Sequence, residues 1–198
     1  RARRHHLVAG FQLAQQRATD CRHPRRCGPA ILPTFQSRHA IFVHGNPETD
    51  AIWSELVGEL ADRGAEGMVL LTPPGFGAGV PDGWGATRSE YRDWLVREVE
   101  PIVESSGPVD IVGHDWGAGH VFGALALRPD LFRTWATDCA GLLHPDYTWH
   151  DMALAWQTPE VGEQVVEAMR SSERSEGVAG WAALGMSTQA AEATHEAM

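Results

Sequence analysis

The chain has 198 residues, 43% hydrophobic and 21% charged, with a formal net charge of −10; this suits one globular domain and is marginal for two. All sixteen basic residues are arginine; eight lie in 1–38 beside a single acid, Asp20, making that arm +7, while the rest carries eight arginines and 25 acids and is −17. An acidic body repels phosphate backbones, which argues against nucleic acid as a partner. No apolar run approaches the ~18 residues a membrane span needs, and Cys21, Cys27 and Cys139 show no metal or redox spacing, which points to a reducing, cytoplasmic setting.

Residues 1–38 show no clear period of 2 or 3.6 and are expected to be a basic arm, disordered or non-native, with no assigned role. From His39 the pattern sharpens. "HAIFVHG" (39–45) reads as a buried strand ending in Gly. The following helix places Ile52, Leu56, Val57 and Leu60 at helical spacing and stops at Gly64. Met68–Leu71 gives a second strand, closed by Pro73, Pro74 and Gly75. A long helix follows with a capping-box start at Thr87 or Ser89, and Pro101 is expected to kink or divide it. "VDIVG" (109–113) is a third strand, "AGHVFGALALRPD" a third helix and "FRTWATDCAG" (132–141) a fourth strand. Continuous apolar strands alternating with helices predict an α/β fold with a mostly parallel sheet. Residues 142–198 contain four helical candidates and no strand, as a helical cap would. The expected division is thus arm 1–38, core 39–141 and cap 142–198.

The chemistry concentrates at "GHDWGA", residues 113–118, between a strand and a helix. Small residues two before and two after Asp115 permit a sharp turn that thrusts its side chain out at the carboxyl end of the sheet, where open α/β sheets bind ligands. The following helix aims its N–H groups at that spot. This is the geometry of a nucleophile elbow, G-x-S-x-G, with Asp in place of Ser. A carboxylate is already ionised near neutrality. It is a weak nucleophile toward carbonyls but displaces a leaving group at saturated carbon, giving an alkyl ester that a histidine-activated water hydrolyses. The pattern therefore points to a carbon–halogen bond or an epoxide. "HGNPETD" (44–50) follows the first strand and supplies Asn46, whose amide and the indole N–H of Trp116 are two donors able to hold a departing halide.

"HGNP" followed downstream by "GHDWGA", with βα alternation between, resembles the α/β-hydrolase fold family, and within it the haloalkane dehalogenase and epoxide hydrolase branches. The resemblance covers roughly 39–141. It implies an α/β-hydrolase sheet with helices on both faces and a partial helical cap, Asp115 as nucleophile, Asn46 and Trp116 as the halide-holding pair, a small apolar organic substrate, and neither metal nor organic cofactor. Dehalogenation leads over epoxide opening, because epoxide hydrolases usually carry an aromatic residue at the position of Asn46 and need cap tyrosines. Only Tyr91 and Tyr147 occur here, and Tyr147 sits early for that role. The family's catalytic histidine lies beyond the cap, so His195, in an Ala-rich helical stretch, is not expected to be the base. The complete enzyme is expected to be active and these 198 residues alone are not. Asp138 is a candidate for the supporting acid, although dehalogenases with an acid on this strand place it at the position of Cys139.

Plainer readings stand beside these. Asp115 can be a helix N-cap, Asn46-Pro47 a turn dipeptide and Trp116 ordinary packing. His44 is expected to brace its loop, and His114 and His120 to be structural, since their spacing does not put two ligands on one helical face. "PPGFGAG" lacks the Lys-Ser/Thr of a phosphate cradle. The apolar positions of the cap helices read as core before substrate box. The rival from another class is a non-catalytic binding module or inactive fragment on the same fold.

Overall fold

A computed structural model describes residues 38–141 and 144–198; the basic arm expected over 1–38 lies outside them except for Arg38. Ser37–Met198 form one compact unit. The described strands are β1 (Ala40–Val43), β2 (Met68–Leu71), β3 (Val109–His114) and β4 (Phe132–Asp138). They make one wholly parallel sheet in the order β2-β1-β3-β4. The helices are α1 (Ser54–Asp62), α2 (Arg88–Ser106), α3 (Trp116–Leu127), α4 (Asp151–Gln157), α5 (Val161–Arg170), α6 (Arg174–Ala183) and α7 (Thr188–Ala197), with short 3-10 turns at Asp50–Trp53 and Pro129–Leu131.

The side chains alternate across the sheet. Ile41 and Val43 of β1 lie in register with Ile111 and Gly113 of β3. Ile41, Val43, Val109 and Ile111 pack with Leu95 and Val99 of α2 and Val121 and Ala124 of α3 as the principal core. Phe42 points the other way, its ring 5.3 Å from that of Trp53. Helical elements thus cover both faces. One expectation about the core is corrected by the structure. Leu56, placed on the apolar face of the first helix, is 43% exposed, whereas Trp53 is 7% exposed; residues 50–53 form a 3-10 turn, which shifts the buried face away from the α-helical phase.

Pro101 neither divides nor ends α2, which runs unbroken from 88 to 106. Leu95 and Val99 before it and Ile102 and Val103 after it all pack on the core, and that burial outweighs the lost N–H. The capping box at its start is made by Thr87 and Glu90. β4 stops at Asp138 rather than continuing to 141, because Cys139 takes φ 49° and leaves the ladder. The four helices of 144–198 fall where the sequence places them.

The connectivity defines the site. From β1 the chain crosses to β2 on one side, and from β3 it crosses to β4 on the other. The strand order therefore reverses between β1 and β3, and a crevice opens at their carboxyl ends. Asn46 follows β1 and Asp115 follows β3.

Candidate active site

Asp115 occupies a backbone conformation that L-residues seldom adopt, φ 50° and ψ −120°, at a cost on the order of 1–3 kcal/mol. Two close approaches hold it there. A Cβ on Gly117 would lie 2.2 Å from the carbonyl oxygen of Val43, and one on Gly113 would lie 2.8 Å from Cα of Ala118. Only glycine fits at either position, so the turn draws β3, α3 and β1 together. Asp115 does stand at the N-cap position of α3, but its side chain makes no capping hydrogen bond. Its Oδ2 instead accepts from the backbone N–H of Asn46 at 3.2 Å. The plain N-cap reading is therefore not what the side chain does.

The 44–50 loop is braced from within. His44 is fully buried; its Nδ1 donates to the carbonyl of Gly45 at 2.9 Å, and its Nε2 has no partner among the described residues. Burial lowers its pKa and keeps the ring neutral. Nearby, His120 stacks on Tyr91 with ring centroids 4.6 Å apart. Burial pushes its pKa down to about 4, while the Tyr91 hydroxyl donates to the carbonyl of Pro74 at 3.0 Å. Tyr91 is thus committed to the core. The Asn46–Pro47 peptide is cis.

Above Asp115 lies a pocket of about 130 Å³ lined by Asn46, Asp115 and Trp116 at the sheet edge and by Tyr147, Trp149, His150 and Trp156 in and before α4. The Trp116 and Trp149 rings stack at 6.2 Å, and Tyr147 meets Trp149 edge-on at 5.1 Å. The indole N–H of Trp156 is buried with no partner among the described residues. The pocket therefore combines a carboxylate, aromatic walls and hydrogen-bond donors, the composition of a site for a small, largely apolar molecule. A larger apolar groove, about 450 Å³, runs between α5 and α6 past Met169 and Trp181, but none of the residues at Asp115 lines it.

The structure brings Asn46, Asp115 and Trp116 into one pocket and places Asp138 against His114 instead. Asp138 Oδ1 lies 2.8 Å from Nδ1 of His114, and His114 Nε2 lies 3.1 Å from Oε1 of Glu48. Glu48 Oε2 in turn accepts from the N–H of Gly45 at 3.1 Å. The Glu48 hydrogen bond, its charge and Asp138 together outweigh burial and raise the His114 pKa to about 9. Sequence reasoning gave Glu48 no role and read His114 as structural without naming its partners. The donor atoms of His114, Asp138 and Cys139 lie within 4.8 Å of one another. With both ring nitrogens of His114 facing carboxylates, a cation there would have to displace one of them. His195 lies on α7 against Gly177.

Residues 40–131 match the alpha/beta hydrolase family. Among solved structures, haloalkane dehalogenase DbeA from Bradyrhizobium elkani superposes with a TM-score of 0.51 at 20% identity, over 81% of this chain and 61% of that one. The chain carries the α/β-hydrolase fold. E-2-(acetamidomethylene)succinate hydrolase shares this fold at a TM-score of 0.56 and 19% identity, over 81% of this chain and 56% of its own. A curated epoxide hydrolase of Caballeronia sordidicola is 28% identical over 116 residues, 54% of this chain and 29% of that protein. The chain thus spans less than two thirds of the length of each of these relatives. No described helix is long and apolar enough to cross a membrane.

Proposed function

We propose that this α/β-hydrolase core forms a covalent alkyl ester on Asp115, using a small apolar halide as substrate. An Asp115 carboxylate oxygen attacks saturated carbon, the new C–O bond replaces the carbon–halogen bond, and halide leaves with the bonding pair toward the Asn46 amide and the Trp116 indole. The displacement is written without metal or organic cofactor, since a carboxylate nucleophile needs no base to activate it. Water activation is assigned to a histidine base of the whole protein. The observation that carries this reading is the carboxylate itself, held at a strained turn, not used as a helix cap, and facing an aromatic pocket. The acidic body and the free thiol of Cys139 fit a cytoplasmic enzyme with no nucleic-acid partner.

Epoxide opening is the second reading, and Tyr147 favours it. Although early in the sequence, Tyr147 lines the pocket and offers a hydroxyl to the opening ring. The curated relative is also named an epoxide hydrolase. Incubation with butyl bromide or styrene oxide, followed by peptide mass spectrometry, tests both. An adduct on Asp115 is expected, lost in Asp115→Asn; an unmodified Asp115 with either reagent removes the proposal and leaves the non-catalytic binding module. Asn46→Ala should slow the butyl bromide reaction by about a hundredfold, the loss typical of one such donor, and leave styrene oxide nearly unaffected. Tyr147→Phe should do the reverse. Equal losses would end the preference for halides.

A further inference from the structure

The bonds around His114 close a ring. Gly45 N–H donates to Glu48, Glu48 meets His114, His114 is followed directly by Asp115, and Asp115 accepts from Asn46 N–H, next to Gly45. Asp138 anchors the far side of the imidazole to the end of β4. We propose that His114, clamped between the carboxylates of Glu48 and Asp138, is the positioning residue that locks the 44–50 loop against the turn and keeps Asn46 N–H on Asp115. This deepens the reading of Asp115 as nucleophile and rests on it only where alkylation is the readout.

The geometry chooses the charge state. A neutral imidazole has one N–H and one lone pair, so it satisfies one carboxylate and sets its lone pair against the other. The imidazolium donates to both through charge-assisted bonds. Glu48 is only 14% exposed at its side chain, which strengthens that bond, whereas Asp138 is 68% exposed and contributes less. The other groups facing the ring are the neutral His44, the edge of Trp53 at 6.2 Å and the Cys139 thiol. None supplies a competing positive charge at neutral pH. Loss of the ring proton near pH 9 breaks one of the two clamps and frees the loop.

The test follows the ring, the loop and the carboxylate separately. His114 is identified among the ten histidines by NMR, as the resonance lost in His114→Gln. Its ring is expected to titrate near 9. Glu48→Gln should lower that midpoint by roughly one unit or more and Asp138→Asn by less. As the ring deprotonates, deuterium exchange at the Gly45 and Asn46 amides should accelerate beyond the intrinsic base-catalysed rise, by about tenfold. Alkylation of Asp115 by butyl bromide should fall along the same limb, and in Glu48→Gln that limb should move down with the ring. A purely structural histidine gives an alkylation limb that stays where it was. Three results overturn the proposal: a ring titrating at its ordinary value, amides blind to the titration, or a limb unmoved in Glu48→Gln. If Glu48→Gln does not fold, the ring and amide titrations of the unmodified chain decide. If Asp115 is alkylated at no pH, the nucleophile reading fails, and the clamp stands or falls on ring and amides alone.

Discussion

At Gly117 the whole site depends on the absence of one carbon. Val43 and His44 carbonyl oxygens lie 2.2 and 2.6 Å from where a Cβ would sit; Val43 is the last residue of β1, held in the sheet, and His44 follows it directly. Gly117→Ala must therefore push α3 away from β1 and take Asp115 with it. The expected loss is about 3 kcal/mol, read by chemical denaturation, together with loss of the Asp115 adduct. A neutral result would mean that the turn is looser than its geometry. The glycines were legible in the sequence because the constraint is local; the rigid wall behind Gly117 was not, because it comes from a strand more than seventy positions away. Asp115 shows the same division. Its place at a turn was written in residues 113–118, but that its carboxylate ignores the helix and reaches Asn46 follows from β1 and β3 lying side by side.

Elements follow sequence where their signals are local. Thr87 and Glu90 cap α2 reciprocally, through Glu90 N–H to Thr87 Oγ1 at 3.3 Å and Thr87 N–H to Glu90 Oε2 at 2.9 Å. The Thr87 hydroxyl, then the N–H groups of Gly85 and Thr87, donate to the exposed Glu90 carboxyl and hold it below its ordinary pKa. Thr87→Ala should cost about 1 kcal/mol, measured as a lower denaturation midpoint at unchanged slope. Leu95→Ala in the same helix should cost about 3 kcal/mol, since Leu95 is fully buried among Ile41, Ile111 and Val121. A larger loss from the cap than from Leu95 would contradict the view that packing carries α2 through Pro101. Where the sequence reading went astray, local backbone conformation departed from the regular period. Trp53 rather than Leu56 faces the sheet because the helix begins with a 3-10 turn, and β4 ends early because Cys139 turns out of the ladder.

The molecule as a whole carries two histidines whose proton affinities folding moves in opposite directions. His120 has its pKa lowered from 6.5 to about 4, so the native state prefers its neutral ring. That contribution is complete above the unfolded value and is lost as pH falls from 6.5 through 4, by on the order of 3 kcal/mol. His114 has its pKa raised from 6.5 to about 9. That contribution is complete below 6.5 and is lost as pH rises through 9, with a smaller amplitude because Asp138 is exposed to solvent. Stability should therefore peak near neutrality, with His120→Gln reducing the acid limb, to which the buried His44 also contributes, and His114→Gln flattening the alkaline one. Urea denaturation across pH checks both, and a limb that survives its substitution would show that other groups set it.

The sequence by itself determined the α/β alternation, the sharp turn that presents Asp115, the loop that carries Asn46 and the run of cap helices. All of these depend on residues close together along the chain, and periodicity, caps and glycines report them directly. Only the tertiary structure decided that Tyr147, Trp149 and Trp156 face Asp115, and that Glu48, His114 and Asp138 share two hydrogen bonds. Those partners stand 66 and 24 residues apart. They meet because a parallel sheet delivers every strand's carboxyl end to the same edge, and neighbours at that edge are chosen by strand order, which no local pattern encodes.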